Sequence, residues 1–126
     1  MKVAYYFIFF FIYIPFKNVT GVEIHPLSNI GKGLYIPHCN SIVISKKAII
    51  GNNLTIHQFC TIGVNYNTNK APQIGNGVFI SCNTSIIGDI CVRDNTSILP
   101  NSYVSKSFEE GCLLGGVPAK IIKKMR

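Results

Sequence analysis

The sequence predicts an all-β fold, a parallel solenoid of six-residue repeats stacked as a three-sided prism. Two observations predict it. Counting in sixes from Ile44, ten of the eleven positions 44, 50, 56, 62, 68, 74, 80, 86, 92, 98 and 104 are Ile or Val. Ile24, Ile30 and Ile36 keep the same period before a two-residue slip. A period of six fits neither an α-helix nor a simple alternating strand. It fits short strands joined by regular corners, each returning the chain to the same face of a stack.

The rest of each hexad supports this. The fourth residue after the aliphatic one is often small or apolar, as in Ser28, Ala48, Cys60, Val78, Thr84, Ile90, Thr96 and Ser102. Two inward positions per hexad fill an interior. Gly follows the aliphatic residue at Gly31, Gly51, Gly63 and Gly75, and a corner demanding positive φ would account for it. Three hexads close one coil, and residues 24–104 give about four and a half coils at the strand spacing.

Two segments depart from the rhythm. One is the slip between Ile36 and Ile44, which contains His38. The other is "GVNYNTNKAPQ", residues 63–73, whose polar composition is that of an exposed loop. Departures in a rigid prism are where side chains can be aimed at a ligand.

Residues 1–20 form an apolar N-terminal segment and residues 21–126 the repeat domain. The apolar run at 3–16 is shorter than the ~17–25 residues of a spanning helix, and no small-x-small cleavage site follows it. It reads as a structural segment, a helical stub that covers one end of the prism or touches a membrane surface. The other end, "GGVPAKIIKKMR", breaks at Pro118 and is expected to close with a short amphipathic helix.

Composition narrows the classes. Hydrophobic residues are 48% and charged residues 13% of the chain, which suggests surface buried in an oligomer. A net charge of +7 favours anionic partners. Nucleic acid ranks low among them, because no recognised binding module is present and no aromatics interleave the basic residues. Five cysteines without a C-x-x-C pair fit small apolar residues in a reducing cytoplasm. The three histidines, His25, His38 and His57, are widely spaced, with no close pair to hold zinc, so no metal is expected. The Thr residues form no T-x-T ladder of the ice-binding kind.

"GVEIHPLSNIGKGLYIPHCNSIVIS", "AIIGNNLTIHQFCTIG" and the terminal "GGVPAK" resemble the serine acetyltransferases, and more broadly the hexapeptide-repeat acyltransferases. The resemblance covers roughly residues 21–122. It implies a left-handed parallel β-helix, a homotrimer, acetyl-CoA as co-substrate and a hydroxyl acceptor. It makes His38 the general base, assisted by the acidic residue of the preceding E-I-H-P segment, Glu23. It also puts the donor against outward residues of later coils: Gly63, Ser81, Cys82, Leu99, Pro100 and Gly116, with Lys120 toward phosphates. Gln58, His57 and Lys70 are the candidate acceptor contacts.

The chain departs from the family pattern in several places. Glu23 stands for the family's Asp, and Pro37 for an Asp before the base. A G-G-T-G run is reduced to Gly63 and Val64, and R-H-P becomes Lys70, Ala71 and Pro72. The family's large helical N-terminal domain is represented by a hydrophobic stub. The leading expectation is therefore an O-acetyltransferase acting on a sugar hydroxyl in surface-polysaccharide assembly. L-serine O-acetylation in cysteine synthesis is the alternative, and a non-catalytic β-helix the reading from another class. The expected location is the cytoplasm, with peripheral contact at the inner face of the membrane.

By residue chemistry, a neutral imidazole is suited to take a hydroxyl proton near working pH. His38 stands directly before the slip, where extra residues would bulge a corner and open a cleft. The lengthened coil would stack Gln58 beside it. His25, followed by Pro26, reads as structural.

Overall fold

The computed structural model describes residues 1–109 and 111–125. The predicted hexads become three parallel sheets, one per face. Face one holds β1 (Glu23–Ile24), β3 (Val43–Ile44), β6 (Thr61–Gly63), β9 (Ser85–Ile87) and β12 (Tyr103–Val104). Face two holds β2 (Asn29–Ile30), β4 (Ile49–Ile50), β7 (Gln73–Ile74) and β10 (Cys91–Val92). Face three holds β5 (Thr55–Ile56), β8 (Phe79–Ile80), β11 (Ser97–Ile98), β13 (Cys112–Gly116) and β14 (Ala119–Lys124).

The aliphatic residues point inward and stack in register. Ile44, Ile62, Ile86 and Val104 follow one another up face one, and Ile56, Ile80, Ile98 and Leu114 up face three. All eight are buried. The second inward set is also as expected: Ala48, Cys60, Val78, Thr84, Ile90, Thr96 and Ser102 are buried, and Ser28 is half-buried on the first rung. Side chains of matching shape above and below fill the interior of each coil, and that repeated burial holds the prism together.

The loop consumes one hexad. Ile50 pairs with Ile74 and Ile62 with Ile86, so the coil between them carries one hexad more than its neighbours. Thr68 therefore keeps the count without occupying the prism, and residues 24–104 make four coils rather than four and a half. The excursion is braced by Asn65, whose Oδ1 accepts the Asn67 N–H at 2.8 Å, and by a Lys70–Asp89 ion pair at 2.9 Å.

The corner glycines have a different cause from the expected one. Gly31, Gly51 and Gly75 are not at positive φ; that conformation falls two residues later, at Gly33, Asn53 and Gly77, and at Asn95 in the next coil. What the first set needs is space. A Cβ on Gly51 would lie 2.6 Å from Asn76 Oδ1 and 2.8 Å from the Gly75 carbonyl. Asn and Asp side chains of the next coil press in there to accept backbone N–H groups: Lys32 N–H to Asn52 Oδ1 at 2.9 Å, Asn52 N–H to Asn76 Oδ1 at 2.7 Å, Asn76 N–H to Asp94 Oδ1 at 2.7 Å. Gly51→Ala is therefore expected to destabilise by about 1–3 kcal/mol. Gly77→Asn, at φ 64° in a column that already holds Asn53 and Asn95, would bring its Cβ to 2.7 Å from Asn95 Oδ1, the movable end of a side chain with no backbone behind it, and should stay within about 1 kcal/mol of the parent. Urea unfolding of the two variants separates a clash with fixed backbone, at Gly51, from one with a movable side chain, at Gly77.

The N-terminal end is helical as expected, and the C-terminal end is not. The C-terminal segment is no helix: β14 folds back antiparallel on β13 after the Val117–Pro118 turn, pairing Leu114 with Ile121 and Gly116 with Ala119. A short isolated helix would not offset its nucleation cost, whereas the last rung presents unpaired N–H and C=O groups. Lys120, Lys123 and Lys124 then make a charged outer edge, which discourages further pairing.

At the other end, residues 2–20 are helical throughout: α1 (Lys2–Ile8), a π-helical turn (Phe9–Tyr13) and α2 (Ile14–Thr20). The π turn ends two residues before Pro15, which has no N–H to give; the Ile14 N–H reaches back to the Phe9 carbonyl. Gly21, at φ 69°, ends the helix by donating to the Lys17 carbonyl at 2.7 Å. This helix does not seal the prism, because Ile24, Ile30, Leu34 and Ile36 on the first rung remain half-exposed.

Candidate active site

The break beside His38 has a backbone cause. Tyr35 pairs in parallel with Thr55, and its N–H donates to the Leu54 carbonyl at 2.8 Å. The next donor in the ladder should come from position 37. That residue is Pro37, which lacks the N–H, so pairing stops there. The chain bulges outward and rejoins where the Phe59 N–H donates to the Asn40 carbonyl at 3.2 Å. His38 rides on the bulge at the corner between faces three and one, and its side chain is exposed.

The nearest ring to it is not the expected neighbour. His57 faces His38 edge-on with centroids 6.0 Å apart, and is itself packed 5.2 Å from Phe79. Gln58 is the residue opposite His38 by the register of Tyr35 and Thr55. Its Oε1 is buried and accepts no hydrogen bond. A buried acceptor without a donor is costly, and beside an exposed imidazole it is where a ligand donor or the imidazole N–H could be received.

Above these residues, Ser81, Cys82, Leu99 and Pro100 continue the same corner in later coils, with Gly116 at the hairpin turn. Ser81 and Cys82 are half-buried, while Leu99, Pro100, Gly116 and Lys120 are exposed. Cys60 lies just inside: its thiol donates to the Ser81 carbonyl at 3.0 Å, and burial pushes its pKa up, keeping it protonated and inert.

Three predicted site residues stand apart from this corner in the single chain. Glu23 projects from face one and pairs with Lys17 at 3.3 Å; among the described residues no ion pair joins it to His38. Lys70 belongs to the loop between faces one and two, where Asp89 holds its ammonium and raises its pKa. Gly63 ends β6 at that same corner, under the Ile87 side chain. His25 stays near the N-terminal helix, its Nδ1 accepting the Leu27 N–H at 3.0 Å, as a structural residue would.

One residue of interest was not singled out in the sequence. Phe59 sits at φ 59° in a corner column whose other members are Gly21, Ser41, Asn83 and Asn101. A left-handed aromatic residue is strained, and this one stacks directly over the His38 bulge. The signal was available, because the hexad count sets Phe59 where Asn recurs. Phe59→Asn is expected to raise stability by about 1 kcal/mol, read from a denaturation midpoint, and to weaken whatever ligand contact the exposed ring supplies.

Known proteins resolve the lineage. The chain is 38% identical over 110 residues to the serine acetyltransferase of Staphylococcus epidermidis strain RP62A, covering 83% of this chain and 50% of that protein. It is 35% identical over 112 residues to the serine acetyltransferase of Helicobacter pylori strain J99, covering 87% of this chain and 66% of that one. Its fold superposes on the crystal structure of Brucella abortus serine acetyltransferase in complex with coenzyme A, with a TM-score of 0.81 at 29% identity over 87% of this chain and 45% of the other.

The chain is a serine acetyltransferase-like member of the hexapeptide-repeat acyltransferase family.

No protein-family model matches it. This serine acetyltransferase-like chain spans half to two thirds of the length of the two curated relatives above. Among its described residues there is no cluster of His, Cys, Asp or Glu able to hold a metal ion.

Proposed function

We propose that this chain is an acetyl-CoA-dependent O-acetyltransferase whose general base is His38. The observation that carries the reading is the bulge at Pro37, which turns one histidine out of an otherwise regular prism at a corner lined with a buried unpaired acceptor. The family supplies the chemistry. As the acceptor oxygen attacks the thioester carbonyl, His38 takes its proton; the tetrahedral intermediate collapses, the C–S bond breaks and the thiolate recovers the proton from the imidazolium. Backbone N–H groups at the corner are the candidate donors to the oxyanion. Coenzyme A would lie along Ser81, Cys82, Leu99, Pro100 and Gly116.

The acceptor best supported is L-serine, since the relatives are named serine acetyltransferases. This ranks the alternative drawn from the sequence above the sugar reading. A sugar hydroxyl is kept as a second reading on one observation: Lys70, Ala71 and Pro72 replace the family's R-H-P, and Lys70 is engaged by Asp89. Release of free thiol from acetyl-CoA, measured with L-serine and with nucleotide sugars, decides between them. Saturable turnover with serine supports the first reading. Turnover with sugars alone overturns it, and no turnover with any hydroxyl acceptor leaves a non-catalytic prism.

A trimer completes the proposal. Val43, Ile49 and Phe79 project outward from the three faces and are each more than a third exposed, and a partner prism would cover such surface and wall a donor groove. Light scattering should give three times the chain's mass.

A further inference from the structure

The N-terminal helix carries an apolar face that none of the described residues covers. Lys2–Thr20 runs for 19 residues, and its most apolar stretch buries no residue. The helix is two-sided. Tyr5, Phe9, Tyr13 and Lys17, spaced one helical turn apart, are half-buried toward the prism. Phe9 stands 6.3 Å from the His25 ring, and Lys17 is tied to Glu23 at 3.3 Å. Phe7 and Phe11, roughly opposite by the turn of the helix, stack at 4.8 Å and are 59% and 69% exposed. Phe10 and Ile12 flank Phe11 on either side of the helix, at 60% and 59% exposed.

Isolated apolar residues on a surface are ordinary, but a contiguous patch of this size marks an interaction site. The flanking charge identifies the partner. Lys2 stands at the start of the helix, and Lys46 shares a hollow with Phe9, Tyr13 and Lys17 at its base. The chain as a whole is +7. Lys2, Lys17 and Lys46 thus lie toward the prism side of the helix and the exposed phenylalanines on the other, and lysines behind an apolar aromatic face match anionic headgroups above acyl chains.

We infer that this helix docks the protein on an anionic lipid bilayer, lying in the interfacial plane with Phe7, Phe10 and Phe11 among the acyl chains. At 19 residues the helix is long and apolar enough to cross a bilayer, against the expectation drawn from its shorter apolar run; its ties to the first coil, Lys17 to Glu23 and Phe9 beside His25, favour the interfacial placement, which the carbonate step tests. The inference is independent of the acetyl-transfer reading.

The test is flotation of the full chain with vesicles of phosphatidylglycerol and phosphatidylcholine, compared with phosphatidylcholine alone. The expected result is binding to the anionic vesicles on the order of tenfold stronger, weakened by salt, released by alkaline carbonate, and reduced about tenfold or more by Phe7→Glu with Phe11→Glu. The chain has no Trp, so Phe7→Trp gives a second readout that needs no disruptive change: its emission should shift to the blue on adding anionic vesicles. Absence of flotation together with an unshifted Trp spectrum overturns the inference. So does resistance to carbonate, which would mean a spanning helix, or a fall in native mass in the double Glu variant, which would mean a second copy covers the face.

Discussion

His38→Asn is expected to lower acetyl transfer by about 10²–10⁴-fold, the usual contribution of a general base. The substitution removes the proton acceptor and leaves the bulge intact, because the bulge is set by Pro37 and the Phe59 to Asn40 hydrogen bond rather than by the imidazole. The loss should therefore appear in kcat, with coenzyme A binding by calorimetry little changed. Gln58→Leu is the informative companion. If the buried Oε1 orients the imidazole or the acceptor, that variant loses activity without losing fold. Replacing an unpaired buried acceptor with an apolar group of similar size should leave stability equal or higher. A His38→Asn enzyme at full rate would remove the catalytic reading, whatever the comparisons with relatives suggest.

The largest effect on stability is expected at Ile80→Ala. Ile80 is fully buried and lies in register between Ile56 below and Ile98 above, so the cavity cannot close from either neighbouring coil. Truncating a residue so placed costs about 2–5 kcal/mol, a large share of the stability of a single domain. Val117→Ala, on the hairpin turn at 73% exposure, should cost under about 0.5 kcal/mol. Both are read by urea unfolding at one protein concentration, because an oligomer would make the midpoint depend on it.

Much of the prism could be read from the sequence because it is periodic. Each inward position repeats one environment, so Ile50, Ile56 and Ile62 independently report the same geometry, and chance cannot imitate the agreement. The reading weakened where the period stopped carrying information. Thr68 fell on a counted position only because the loop happens to be one hexad long. At Gly51 the residue type was legible, but its cause was not: close approach by Asn76 comes from the next coil, beyond the loop. The end of the chain misled because "AKIIKK" has an amphipathic pattern by itself, and only the unpaired edge of β13 makes it a strand.

The site was legible to a similar depth. The slip in the count and His38 beside it pointed to one corner, and the structure puts the imidazole outside the prism there. What could not be read was which side chains would share that corner. His57 meets His38 as a ring neighbour, while Gln58, opposite His38 by register, keeps its Oε1 buried and unpaired. Glu23 precedes His38 on the same coil, yet its partner within the chain is Lys17 on the N-terminal helix, a segment with no place in the hexad count.

The account is tested most directly by a crystal structure of the chain grown with coenzyme A and L-serine. It predicts the thiol at the His38 corner, alongside Ser81, Cys82 and Leu99, and the serine hydroxyl about 2.6–3.2 Å from an imidazole nitrogen of His38. Coenzyme A seated instead in the hollow between Arg93, Lys106 and Phe108, with His38 facing only solvent, would contradict it.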